Sequence, residues 1–184
     1  MKMGKIKQPD LVNYVIHAFT AGNSDFWLYE YGVLEKIKKT FGEIDYISHP
    51  IDFQKFTSYY NKEMGENVKI EARMISFKNL GSPSFLPYAK KITNELEKEI
   101  SIDGNRKVNL DVGYIHHTQF VLASTKHWGN RIYLGNGIYA EITLMYMFGE
   151  WQHHDYSYEN FKDKEYKDIL EEIRSNYMIK RRHI

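Results

Sequence analysis

Cysteine is absent from the 184 residues, which excludes disulfides, cysteine-bearing zinc sites, iron–sulfur ligation and thiol catalysis. That absence suits a reducing compartment, so a cytoplasmic location is expected. Long apolar runs are missing too. The longest, Leu144 to Phe148, falls far short of the roughly 20 residues that a membrane span requires. The N-terminus is basic, but Asn13 and His17 interrupt the one candidate signal core, so neither secretion nor a membrane partner is expected. Charge of one sign is also lacking. The formal net charge is +1, and no global field draws the protein to nucleic acid or an anionic surface. Arginine is scarce, six residues against 19 lysines, which argues further against a reader of phosphate backbones.

Aromatic residues are abundant: 15 Tyr, 10 Phe and three Trp. Tyrosine is amphipathic, so such an excess suits half-buried sheet surfaces or the rim of a pocket. After a polar, basic lead-in (1–9), Leu11 to Phe19 reads as a strand with Val12, Tyr14 and Ile16 on one face. Ser24 is the expected cap of a helix whose Phe26, Tyr29, Val33, Ile37 and Phe41 share a face, and Gly42 ends it. Ile44 to Phe53 is extended around Pro50, giving a strand–helix–strand opening. Phe53 to Asn61 is aromatic and ambiguous, closed by Gly65, and Val68 to Phe77 alternates as a strand. Ser82-Pro83 opens a second helix with a stripe of Phe85, Ala89, Ile92, Leu96 and Ile100. Asp103-Gly104 turns into a strand with Val108, Leu110 and Val112 inward and Asn109, Asp111 and Gly113 outward. Thr118 to Thr125 fits helix or strand. Tyr166, Ile169, Leu170, Ile173 and Tyr177 mark a C-terminal helix, with a basic tail at 178–184. The expectation is one α+β domain over 1–184: a mixed, largely antiparallel sheet with two to three amphipathic helices mainly on one face.

Gly135-Asn136-Gly137 joins a hairpin whose register can be argued. A three-residue loop with Gly137 left-handed puts Ile132, Leu134, Ile138, Ala140, Ile142 and Leu144 on one apolar face. Arg131, Tyr133, Tyr139, Glu141 and Thr143 then share the other face, with Arg131 opposite Glu141.

No standard catalytic signature is present. His116-His117 and His153-His154 suggest metal pairs, but adjacent strand residues point to opposite faces and no ligand spacing accompanies them, so no metal site is expected. Gly4-Lys5 lies in the lead-in and makes no phosphate loop. Asn61-Lys62-Glu63-Met64 resembles a guanine-reading motif, except that Met64 stands where a carboxylate must be. A nucleophile elbow is absent. What remains is a polar set: Asn109 and Asp111 on one strand, Arg131 and Glu141 across the hairpin beside Tyr133 and Tyr139, and Lys126 upstream. Carboxylates and cations on one surface bind a small anionic or zwitterionic ligand, or do acid–base chemistry. The plainer alternative is a solvated face with ion pairs of about 0.2–1 kcal/mol each.

Several segments also carry a family resemblance: Asp52-Phe53 through Thr57-x-Tyr59-Tyr60-x-x-Glu63-Met64-Gly65, Lys90-x-x-Thr93-Asn94-x-x-Glu97, and Arg106-x-Val108-Asn109-x-Asp111-x-Gly113-Tyr114. Val121-Leu122-Ala123-x-Thr125-Lys126 and Arg131-Ile132-Tyr133-Leu134-Gly135-x-Gly137-Ile138-Tyr139-Ala140-Glu141 complete the set. Together they resemble the prokaryotic family known as domain of unknown function 4416, from Pro9 to about Tyr177. The family commonly has Pro where Val112 stands and His where Asn130 stands, so no role for that His transfers. Two main functional expectations stay open. One is a site for a small anionic metabolite or nucleotide, cupped by Lys90, Arg106, Lys126 and Arg131, with Asp111 and Glu141 orienting the ligand or holding a cation. The other is a hydrolase or transferase with Asp111 or Glu141 as base and Lys126 or Arg131 stabilising negative charge. A protein-interaction module using the aromatic surface is a third. No cofactor or oligomeric state can be read from the chain.

Overall fold

The structure, a computed structural model, describes residues 4–57, 64 and 68–183. Among the described residues, nine strands make one sheet: β1 (Asn13–Ala21), β2 (Ile44–Ile47), β3 (Ile51–Asp52), β4 (Ile70–Phe77), β5 (Val108–His116), β6 (Gln119–Ser124), β7 (Ile132–Gly135), β8 (Ile138–Met147) and β9 (Glu150–His153). Their order is β2-β4-β1-β5-β6-β8-β7, with β3 beside β4 and β9 beside β8. Every ladder between these strands is antiparallel. The opening strand–helix–strand unit is split. β1 and β2 run the same way, but each pairs with β4, which lies between them.

Among the described residues, the α-helices with defined ranges are α1 (Val33–Phe41), α2 (Leu86–Glu99), the single turn α3 (Glu159–Lys162) and α4 (Lys164–Arg181). Alternation along β1 explains how they are placed. Tyr14, Ile16 and Ala18 meet α1 and α2 through Val33, Ile37, Phe41, Leu86 and Ala89, whereas Val15 and Phe19 belong with α4's Tyr166, Ile169, Leu170, Ile173 and Tyr177. Two of the three long helices therefore share a face, and the longest covers the other. Each fully buried side chain of α4 contributes about 1.5–3 kcal/mol, and its two tyrosines keep their hydroxyls paired. Tyr166 Oη is 2.8 Å from His17 Nε2, and Tyr177 donates to the Leu11 carbonyl at 2.9 Å.

Several local expectations change. The first helix starts at Ser24, so Asn23 is its cap and accepts from the N–H of Asp25 at 2.8 Å. Ser24 instead donates to Glu71 through both N–H and Oγ at 2.9 Å. Residues Phe26–Glu30 wind as a π-helical turn and a left-handed Gly32 (φ 88°) then divides the helical run; Phe26 and Tyr29 turn outward while Trp27 and Leu28 are buried. On α2 the innermost stripe is Leu86, Ala89, Lys90, Thr93, Glu97 and Ile100, displacing Ile92 and Leu96 to its flank. The segment 119–124 is a strand. The stretch expected over Phe53 to Asn61 begins as a 3-10 turn at Phe53–Lys55, and its part from 58 onward, the Asn61-Lys62-Glu63 motif and Gly65 lie outside the described residues. Tail residues are helical through Arg181: Lys180 reaches Asp45 at 2.6 Å and the Phe77 carbonyl at 2.8 Å.

The hairpin reaches its expected faces by a different turn. Asn136 and Gly137 both have positive φ (56° and 76°), which makes a two-residue loop. A register shift between Tyr133 and Gly135 then restores Tyr133↔Tyr139 and Ile132↔Ala140. Arg131 and Glu141 share a face, as the argument from segregation requires. Leu144 departs from it. A second irregularity, between Phe120↔Leu144 and Val121↔Ile142, turns Leu144 onto the α4 side and leaves Ile142 on the other.

Candidate functional site

The site begins where two strands part. The β5–β6 ladder runs from His116↔Gln119 only to Gly113↔Leu122. Past that point, the peptide groups of Leu110 are met by side chains of α2. Leu110 donates its N–H to Glu97 Oε1 at 2.7 Å. Lys90 Nζ donates to the Leu110 carbonyl at 3.3 Å and to Asp111 Oδ1 at 3.2 Å. Lys90 and Glu97 are seven residues apart, two helical turns, so both project from one side of α2 into the gap. The buried charges thus satisfy strand backbone that β6 leaves unpaired. A consequence follows for stability. Glu97→Ala strands the buried Leu110 N–H, and an urea titration should show a loss of about 1–3 kcal/mol; no change in midpoint would contradict this role.

The opening forms a cleft of about 580 Å³, within the range of roughly 300–1,000 Å³ typical of small-molecule sites. One wall is apolar, built from Phe19, Phe53, Phe56 and Phe161. The rest of the lining is largely polar. There Arg131 donates from Nε to Glu141 Oε2 at 3.0 Å, and from Nη1 to Ser124 Oγ at 2.9 Å and the Lys126 carbonyl at 3.0 Å. Its Nη2 lies 3.3 Å from the Tyr158 hydroxyl. Burial pulls the Arg131 guanidinium down, yet the bond and charge of Glu141 hold it above its usual value. In the same lining, Arg106 Nη1 donates to Asn109 Oδ1 at 2.7 Å. The Asn109 residue is 4% exposed, and its Nδ2 is a buried donor with no partner.

Two buried titratable groups line the same space. His17 stands opposite Asp111 in the β1–β5 register. Burial pushes it down to about 3, against a smaller opposite pull from Asp111. Glu97 is pushed upward by burial, with Lys90, the Leu110 N–H and Arg106 opposing.

Seven of the nine residues singled out from the sequence line this cleft: Lys90, Arg106, Asn109, Asp111, Lys126, Arg131 and Glu141. Tyr133 and Tyr139 do not. They pack on each other at 5.1 Å near the sheet edge, where Tyr133 Oη accepts from the Gly137 N–H. Sequence reasoning missed His17, Glu97 and the phenylalanine wall. A polar residue within the apolar run of β1, and Lys90, Thr93 and Glu97 at helical spacing, were the available signals. His116 and His117, expected to point to opposite faces, do not diverge. His117 lies in the turn after β5, and the two rings are 4.0 Å apart.

An antiparallel α+β sheet with helices on both faces, opened between two central strands around paired charges, is the class of protein these features define. The chain belongs to the family described as Domain of unknown function (DUF4416), which matches residues 10–177. No curated protein and no solved structure matches the chain. Among the described residues, no helix is long and apolar enough to cross a membrane.

Proposed function

We propose that the cleft binds a small anionic metabolite or nucleotide, with its apolar or ring portion against the phenylalanine wall and its anionic portion toward Lys126 and Arg131. The observation that carries this reading is the unpartnered, buried Asn109 amide in a cleft of ligand size. An orphaned donor of this kind costs about 1–3 kcal/mol unless an acceptor meets it, and a ligand oxygen supplies one. Three pairs of charges line the cleft: Lys90 with Asp111 at 3.2 Å, Arg131 with Glu141 at 3.0 Å, and Arg106 with Glu97 at 3.6 Å. Such pairing favours a ligand that presents donors as well as an anion, as a nucleotide does. A cytoplasmic setting fits the cysteine-free composition.

The test is a thermal-shift screen of nucleotides and phosphorylated metabolites. A ligand at 100 times its Kd adds about 2.7 kcal/mol. Lys126→Ala, at an exposed position, should leave the protein folded and weaken binding at least tenfold. Arg131→Ala is a poorer probe, because it also removes a structural hub. A screen with no hit, or a hit indifferent to Lys126→Ala, counts against the reading.

A second reading, an enzyme of hydrolase or transferase type, is supported by the upward displacement of Glu97 beside cations in the same cleft. Under it Glu97 joins Asp111 and Glu141 as a candidate acid or base, with Lys126 or Arg131 stabilising negative charge.

A further inference from the structure

Asp10, His116 and His117 meet at the other end of β5 from the cleft. One ligand-type atom from each lies within 4.8 Å of the others. His116 is seven residues along β5 from Asn109, about 23 Å at roughly 3.3 Å per residue, so this cluster is separate from the proposed ligand site. Three segments build it: the chain just before β1, the last residue of β5, and the turn that leads to β6.

The imidazole of His116 is already oriented. Its Nδ1 lies 3.0 Å from Thr118 Oγ1, while Nε2 faces Asp10 Oδ2 at 3.6 Å. A hydrogen bond on the far nitrogen is what normally aims a ligating histidine. Asp10 is fixed in turn by Arg181, whose Nη2 donates to Oδ2 at 2.6 Å, the place an outer partner takes beside a ligating carboxylate. His117 has its backbone carbonyl held by Arg174 Nε at 3.0 Å. Its Nδ1 is buried and has no hydrogen-bond partner, an acceptor or donor the fold leaves unused.

We propose that Asp10, His116 and His117 bind a divalent transition-metal ion of the Zn²⁺ or Co²⁺ kind. Two imidazole nitrogens and one carboxylate oxygen suit such borderline ions better than Mg²⁺ or Ca²⁺, which prefer all-oxygen shells. Three protein ligands leave a position open to water. Bonds of about 2.0–2.1 Å place tetrahedral ligands about 3.3 Å apart, so binding draws the three groups together from spacings of up to 4.8 Å. The ion then ties the segment before β1 to the β5–β6 turn.

The experiment uses the untagged full chain, stripped with a chelator, then titrated with Zn²⁺ by calorimetry and with Co²⁺ by visible absorption. One ion per chain is expected, with d–d bands for Co²⁺ and a rise in melting temperature for Zn²⁺. His117→Ala and Asp10→Asn should each weaken binding at least tenfold, whereas His153→Ala, which alters the other histidine pair, should not. His117 lies in a turn, so its substitution carries the test even if Asp10→Asn loosens the Arg181 contact and the fold with it. Binding by the wild type no tighter than by His117→Ala overturns the proposal, as does a loss that follows His153→Ala.

Discussion

Acidification should destabilise this protein by about 1.4 kcal/mol per pH unit through His17 alone. The imidazole is buried on the α4 side of β1, 2.8 Å from the Tyr166 hydroxyl, and burial holds it down to about 3 in the folded chain, against 6.5 as a free group. Between those values the unfolded chain takes up the proton and the folded chain does not. Stability from this source is therefore complete above about 6.5 and is lost as pH falls toward 3. Carboxylates contribute their own slope, so the informative quantity is the difference between wild type and His17→Gln. Denaturation midpoints from pH 7 to 4 should converge, with the wild type losing roughly one proton's worth of slope more than the variant. Parallel curves would show that His17 is not held neutral.

Gly113→Ala is the second large effect. A Cβ at this position would lie 2.1 Å from the Val121 carbonyl oxygen and 2.8 Å from Leu122 Cδ2. The first of these is backbone and cannot rotate away, so β6 must move off β5. The position is also the last paired rung before the strands part, so the disturbance falls at the edge of the cleft. The expected cost is about 3 kcal/mol, the upper end for overpacking. Chemical denaturation checks it: a midpoint within about 0.5 kcal/mol of wild type would mean the strands tolerate the separation, as ordinary surface substitutions do. If the proposed ligand exists, its affinity should fall with this variant even under conditions where the protein remains folded.

Periodicity was sufficient where a segment has one apolar face. The stripe from Tyr166 to Tyr177 declared α4, and all five of its residues are buried. Segregation of Arg131, Tyr133, Tyr139 and Glu141 from their apolar neighbours placed the hairpin faces, because a one-residue slip would have exchanged them. The turn that achieves this register was misread, since a bulge and a two-residue loop produce the same faces as a three-residue loop. Phe26 and Tyr29 fit a helical stripe equally well on paper. The structure instead winds Phe26–Glu30 as a π-helical turn and breaks the run at a left-handed Gly32, which leaves both side chains exposed, and an apolar count does not register a change of winding.

The chain alone determined the α+β class, the antiparallel bias, the main helices and the polar residues that share strand faces, because each depends on neighbours within a few positions. Tertiary structure alone decided that β5 and β6 separate after Gly113, that Lys90 and Glu97 reach across to take the peptide groups of Leu110, and that His17 lines the same cleft. It also decided that Tyr133 and Tyr139 stay outside the cleft and that His116 and His117 face each other beside Asp10. The physical reason is the same in each case. A pleat or a helical turn sets which way a side chain points, whereas the gap it points into is created by elements distant in sequence, and no local pattern records where two strands stop pairing.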